Sequence, residues 1–164
     1  MKWKIVFLKF PRIVIINICF TAVVKKLTEL IPMQSNDSGN NKSNIDMAVF
    51  LTNDFLCAVP YAFKDTIKEN SKGLQWSFTI PTNATDKVKM TMKNVRIDES
   101  ITGFVYVFEK TDDMVNAPKG SAQWKCYHSL KPIHVFEVAY KDYSKYFRIE
   151  KQGEQNETNT LLRR

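Results

Sequence analysis

From residue 47 onward, much of the chain alternates apolar and polar side chains with a period of two. In LQWSFTI, Leu74, Trp76, Phe78 and Ile80 share one face, and Gln75, Ser77 and Thr79 share the other, the pattern of a half-buried strand. Lys87 to Val95 repeats it, with Val88, Met90 and Met92 set against Lys87, Lys89, Thr91 and Lys93. Ile101 to Glu109 is apolar on both faces and predicts a central strand. Met47 to Leu51, Cys57 to Phe63, Ser121 to His128, Ile133 to Tyr140 and Lys145 to Glu150 complete a set of eight. Turn-forming stretches separate them: NSKG at 70–73, PTNATD at 81–86, the segment 112–120 and LKP at 130–132. Eight short strands without a long helix predict a mostly β chain, a single antiparallel β-sandwich or barrel spanning residues 47–152.

The alternation is absent before residue 47. Ile13 to Val24 is an uncharged apolar run behind a basic segment that holds Lys2, Lys4, Lys9 and Arg12. A positive region followed by about 7–15 apolar residues is the layout of a secretory signal. Residues 1–23 are therefore expected to form a signal peptide, with Thr21-Ala22-Val23 as a loose cleavage pattern. The competing expectation is an uncleaved signal anchor from Ile5 to Val24, which would place Lys9 and Arg12 in hydrocarbon at about 2.5–3.5 kcal/mol each. Residues 24–46 read as a polar linker or stalk, in which Pro32 ends any helix begun by KKLTELI. Residues 153–164 read as a polar C-terminal tail.

Charge changes little once it is located. The 164-residue chain carries a formal +7, of which residues 1–23 hold four basic and no acidic side chains, leaving +3 for the remainder. There Lys alternates with Asp and Glu, as in KDTIKENSK, so the sequence predicts a solvated surface and no nucleic-acid partner.

Cysteines and asparagines follow the compartment. With Cys19 in the leader, Cys57 and Cys126 are the thiols of a mature chain, and both fall on inward faces of predicted strands. An oxidising compartment would join them, closing a loop of about 70 residues that adds on the order of 4 kcal/mol; the alternative is two buried thiols acting as small hydrophobes. N-x-S/T acceptors occur at Asn36, Asn41, Asn83 and Asn156, which predicts a glycoprotein if the chain is secreted.

Catalytic chemistry is hard to find. His128 and His134 stand in no metal-ligand spacing with Cys or with each other, and there is no G-x-S-x-G, H-E-x-x-H or phosphate-binding glycine loop. Asp112-Asp113 and Asp98-Glu99 read as solvated turn residues. No enzyme, metal or cofactor is expected. Aromatic residues are the compositional excess, and Trp76, Phe104, Tyr106, Phe108 and Trp124 either fill a core or line a lumen open to an apolar ligand.

Three segments resemble known secreted folds. VFEVAYKDYSKYFRIEKQGEQNETNTLLRR, residues 135–164, resembles the closing part of lipocalins: Tyr140 and Tyr143 fit the tyrosine pair, Glu137 stands near the acidic position, and Arg163 or Arg164 near the arginine. The chain departs from that family in having no G-x-W motif and in carrying Ala139 where aspartate is usual. SAQWKCYH is similar to the tyrosine corner of immunoglobulin domains, with Cys57 at a compatible distance upstream. The run from Leu74 to Ile97 resembles a CUB domain, with Gln75 at the usual cysteine.

Together these features predict a secreted or cell-surface glycoprotein that acts as a non-catalytic recognition module for a protein or glycan. The alternatives are a lipocalin-type carrier of a small hydrophobic ligand and a membrane-tethered ectodomain, the membrane entering only if the leader is uncleaved.

Overall fold

The computed structural model describes residues 18–34, 46–74, 77–79, 90–117 and 119–150. The chain is mostly β, and its main element is a seven-stranded, wholly antiparallel sheet that is not closed into a barrel. Its strands are β1 (Ile18–Val23), β2 (Met33–Gln34), β3 (Met47–Thr52), β6 (Thr102–Glu109), β7 (Val115–Asn116), β8 (Gln123–Cys126) and β9 (His134–Ala139). They run in the order β7-β8-β3-β1-β6-β9, and β2 pairs with the start of β3. A second sheet joins β4 (Ser77–Thr79), β5 (Met90–Lys93) and β10 (Phe147–Glu150), with β10 parallel to β5 and β4 antiparallel to it.

Strand β1 occupies the middle of the main sheet. It pairs with β6 over six positions, from Ile18↔Glu109 to Val23↔Phe104, and with β3 at Phe20↔Thr52. ICFTAV is rich in β-branched and aromatic residues, and it is apolar on both sides, as a strand covered on both faces must be. Phe20 and Ala22 pack on one face with Val105 and Val138; Cys19 and Val23 pack on the other with Tyr106 and Phe108. These six residues lie inside the stretch that the sequence assigns to a leader or anchor. The same apolar composition serves a central strand, and here it is paired on both edges.

Helices cover the first face. Asp54 caps α1 (Phe55–Ala58) by accepting a hydrogen bond from Leu56 N–H at 2.9 Å, and α2 (Tyr61–Asn70) begins after Pro60. The expected strand from Cys57 to Phe63 is thus replaced by two helices. Cys57, Val59, Tyr61 and Phe63 alternate by coincidence, whereas the buried set Ala58, Val59, Ala62, Phe63 and Ile67 follows the 3.6-residue period. Met92 of β5 and Phe147 of β10 join the same cluster. A 3₁₀ turn at Ser144–Tyr146 follows α3 (Tyr140–Tyr143) and leads into β10. Among the described residues no helix is long and apolar enough to cross a membrane.

Contact between α2 and the sheet is closest at Gly103. A Cβ there would lie 2.2 Å from the Ala62 carbonyl oxygen, a backbone atom that cannot rotate away. The opposite face is tied down by polar contacts at its centre. The Tyr106 hydroxyl accepts from Leu27 N–H at 2.6 Å and donates to the Lys25 carbonyl at 3.0 Å, while Leu30 and Leu130 exchange backbone hydrogen bonds at 2.9 and 2.8 Å.

Two outcomes are expected. Gly103→Ala should destabilise the chain by about 3 kcal/mol, the upper end for inserting a methyl into a packed core, because the clash is with backbone; chemical denaturation measures it, and an unchanged midpoint would refute the close approach. A chain starting at Lys25 should show no cooperative thermal transition, since its sheet lacks the strand between β3 and β6.

Candidate functional site

The aromatic residues expected to line a lumen come together. Phe104, Tyr106, Phe108 and Trp124 lie on the sheet face opposite the helices; Trp76 lies outside the described residues, as do the acceptors Asn36, Asn41, Asn83 and Asn156. Tyr106 and Phe108 are fully buried, in one cluster with Val49, Leu51, Met114 and Cys126. The Lys110 ammonium stands 3.5 Å above the Trp124 ring, a cation–π contact at the rim of the cluster. Trp124 Nε1 is buried and has no hydrogen-bond partner among the described residues.

None of the three cysteines is in a disulfide, so the expected Cys57–Cys126 bridge is absent. The reason is placement. Cys57 sits on α1, which packs through Phe55 and Ala58 against the helix-covered face, whereas Cys126 belongs to the cluster on the other face. The sheet lies between them, and a disulfide reaches only about 4.4–6.8 Å between Cα atoms. Burial pushes the Cys19 thiol up to about 11, Lys110 partly offsetting it, and burial raises Cys126 as well.

The end of β8 gathers the polar chemistry. Lys125 points away from Trp124 and Cys126, its side chain only 3% exposed, and its ammonium meets Asp46 Oδ2 at 2.8 Å. Tyr127 donates its hydroxyl to the same oxygen at 3.1 Å. Hydrogen bonds from Lys125 and then Tyr127 hold the Asp46 carboxyl below its ordinary range.

On the other side of the strand end, Asp113, Cys126 and His128 place one donor atom each within 4.8 Å of one another. His128 Nε2 lies 2.5 Å from Asp113 Oδ2, and Nδ1 lies 2.9 Å from the Ser129 carbonyl. A carbonyl only accepts, so Nδ1 carries hydrogen. The bonds to Ser129 and Asp113 favour the charged ring and raise the His128 pKa; hydrogen bonds from Thr111 and then His128 lower that of Asp113. Cys126 Sγ bonds to the His128 carbonyl at 3.5 Å, not to its ring. With both ring nitrogens engaged elsewhere, His128 is not arranged as a base for this thiol.

The sequence points to Cys126 but pairs it with Cys57, gives His128 no metal-ligand spacing and reads Asp113 as a solvated turn residue. Spacing rules for Cys and His do not find this set, because its third member is a carboxylate 15 residues before His128. His134 goes elsewhere, its ring 4.4 Å from that of Phe136. No protein-family model matches the chain, and no curated protein or solved structure matches it either.

The Asp46 contact fixes a pH dependence. A carboxyl whose folded pKa is depressed contributes stability that is present above the unfolded value, about 3.9, and lost as pH falls through the folded one. Asp46→Asn should therefore lower the melting temperature at pH 7, with a gap to the parent chain that closes below about pH 4. Thermal melts across that range check it; coincident curves at pH 7 would show that Lys125 does not depend on Asp46. Native alkylation at neutral pH should label the half-buried Cys57 well before Cys19 and Cys126, as peptide mapping would read.

Proposed function

We propose that this chain is a non-catalytic recognition domain that holds an extended segment of a protein partner along the outer edge of β9. The observation that carries the reading is the ladder between β6 and β9. Tyr140 N–H donates to the Ile101 carbonyl at 2.8 Å, one step beyond the pair Thr102↔Ala139. Hydrogen-bonded pairs alternate along an antiparallel ladder. His134, Phe136 and Val138 therefore turn their N–H and C=O groups towards β6, and Val135, Glu137 and Ala139 turn theirs outward. Among the described residues β6 is the one strand neighbour of β9. An outward row of donors and acceptors is a template for strand addition, and Ile133, 63% exposed, offers an apolar contact at its start.

Carriage of a hydrophobic ligand has less support, because Phe104, Tyr106, Phe108 and Trp124 pack as core. Entry into the secretory pathway rests on the basic-apolar N-terminal layout and on the four acceptor asparagines. In this reading any leader ends before Ile18, because cleavage near residue 23 removes β1, and an anchor running to Val24 withdraws it from the sheet.

Glu137→Pro removes one outward N–H and leaves the bonds to β6 intact, as proline does on an edge strand. With a photo-crosslinker at position 133, the parent chain in its native cells should form a discrete adduct with another protein, and the Glu137→Pro chain, with a melting temperature within a few degrees, should not. The same adduct from the proline variant would reject edge recognition. An adduct with a second copy of the chain alone would replace the separate partner by self-association.

A further inference from the structure

The geometry points to a zinc-class metal site formed by Asp113, Cys126 and His128. Each ligand is held by a different part of the fold. Cys126 is the last residue of β8 and is fixed opposite Val49 of β3. His128 is confined between that strand end and Leu130, whose backbone exchanges two hydrogen bonds with Leu30. Asp113 lies in the turn after β6, which is pinned by Met114, 5% exposed, with its N–H bonded to the Thr111 carbonyl.

Donor type selects the ion. Thiolate, imidazole and carboxylate together suit a borderline divalent ion such as Zn²⁺, whereas Mg²⁺ and Ca²⁺ take oxygen donors. The three donor atoms already lie within 4.8 Å of one another. Tetrahedral zinc holds nitrogen and oxygen ligands about 3.3 Å apart, given bonds of about 2.0–2.2 Å. The 2.5 Å between Nε2 and Oδ2 needs only a small rotation of the Asp113 side chain, which is 55% exposed.

A second feature is independent of this clustering. Nδ1–H of His128 donates to the Ser129 carbonyl, which leaves Nε2 as the nitrogen facing Asp113. Metal-ligating histidines are oriented in this way, one nitrogen on the ion and the other bonded to a carbonyl or carboxylate. In the metal-free chain a proton between Nε2 and Oδ2 occupies the place of the ion. Binding releases that proton and the thiol proton to solvent, so that Cys126 enters as thiolate and the two side chains close on the cation. Three protein ligands leave one position, on the solvent side where His128 is 53% exposed, for water or a partner's side chain.

The test uses the full chain, reduced and stripped with a chelator. Zn²⁺ titration against a chromophoric chelator should give one equivalent bound, and Co²⁺ in its place should give a thiolate-to-cobalt absorption in the near ultraviolet. Cys126→Ser should abolish that band, and His128→Ala and Asp113→Asn should each weaken Zn²⁺ binding by at least about tenfold. His128 and Asp113 are half-exposed, so these two variants fold even if Cys126→Ser does not, and circular dichroism confirms it. Asp112→Asn and Cys57→Ser should bind as the parent does. Absence of the cobalt band in the parent chain, or full affinity retained by both His128→Ala and Asp113→Asn, would overturn the site.

Discussion

Everything in the main sheet depends on the pairing of β1 with β6. The order β7-β8-β3-β1-β6-β9 divides at β1 into a half that contains β3, β8 and β7 and a half that contains β6 and β9. Among the described residues, backbone pairing joins β1 firmly to the second half, with six paired positions, but touches the first at the single pair Phe20↔Thr52. Side chains make up the difference. The Phe55 ring of α1, the helix that follows directly on β3, meets Phe20 of β1 edge-on at 5.5 Å and Phe136 of β9 at 6.0 Å, so the first half is tied to β1 and β9 through an aromatic residue that it delivers. Such edge-to-face contacts add about 0.5–1.5 kcal/mol each beyond burial.

This constraint explains what the sequence could and could not convey. Ile101 to Glu109 read as a central strand because it is apolar on both faces and flanked by turn residues, and β6 is central. Ile18–Val23 satisfies the same requirement, but a basic flank and a longer apolar run gave it the composition of a leader as well. No local feature separates these two solutions, since a membrane and a sheet interior both ask only for uncharged side chains on all sides. Predicted strands at Met47 to Leu51, Ser121 to His128 and Ile133 to Tyr140 contain or nearly coincide with β3, β8 and β9. In β3 and β9 the alternation survives because one face lies in a core and the other is less covered, whereas in β8 both Lys125 and Cys126 are buried and the alternation is one of chemistry, a paired cation against a thiol.

The helical segment failed for the opposite reason. Asp54 before Phe55 and the four-residue spacing of Val59, Phe63 and Ile67 are helix signals, yet four residues from Cys57 to Phe63 also alternate. The choice was settled by tertiary packing. Gly103 leaves room for a backbone rather than a side chain against β6, and α2 fills it. A glycine within a strand otherwise lined with bulky residues marks a close approach, and Gly103 carries that signal in the sequence itself.

The candidate site was the least legible part because it is made by topology alone. Asp46 read as the end of a polar linker and Asp113 as a solvated turn carboxylate, and both reach the same short stretch, residues 125–128, from opposite sides. Strand alternation sends Lys125 to one face and Cys126 to the other, so the end of β8 offers a cation on one side and a thiol on the other. Each then meets a carboxylate delivered by a loop that is distant in sequence. An unpaired buried charge is costly, so Lys125 at the strand end depends on the carboxylate that meets it. Two separate loops that each provide a carboxylate there fix how those loops close over the sheet. That dual closure places the aspartate, cysteine and histidine donors together, although nothing in their spacing along the chain requires it.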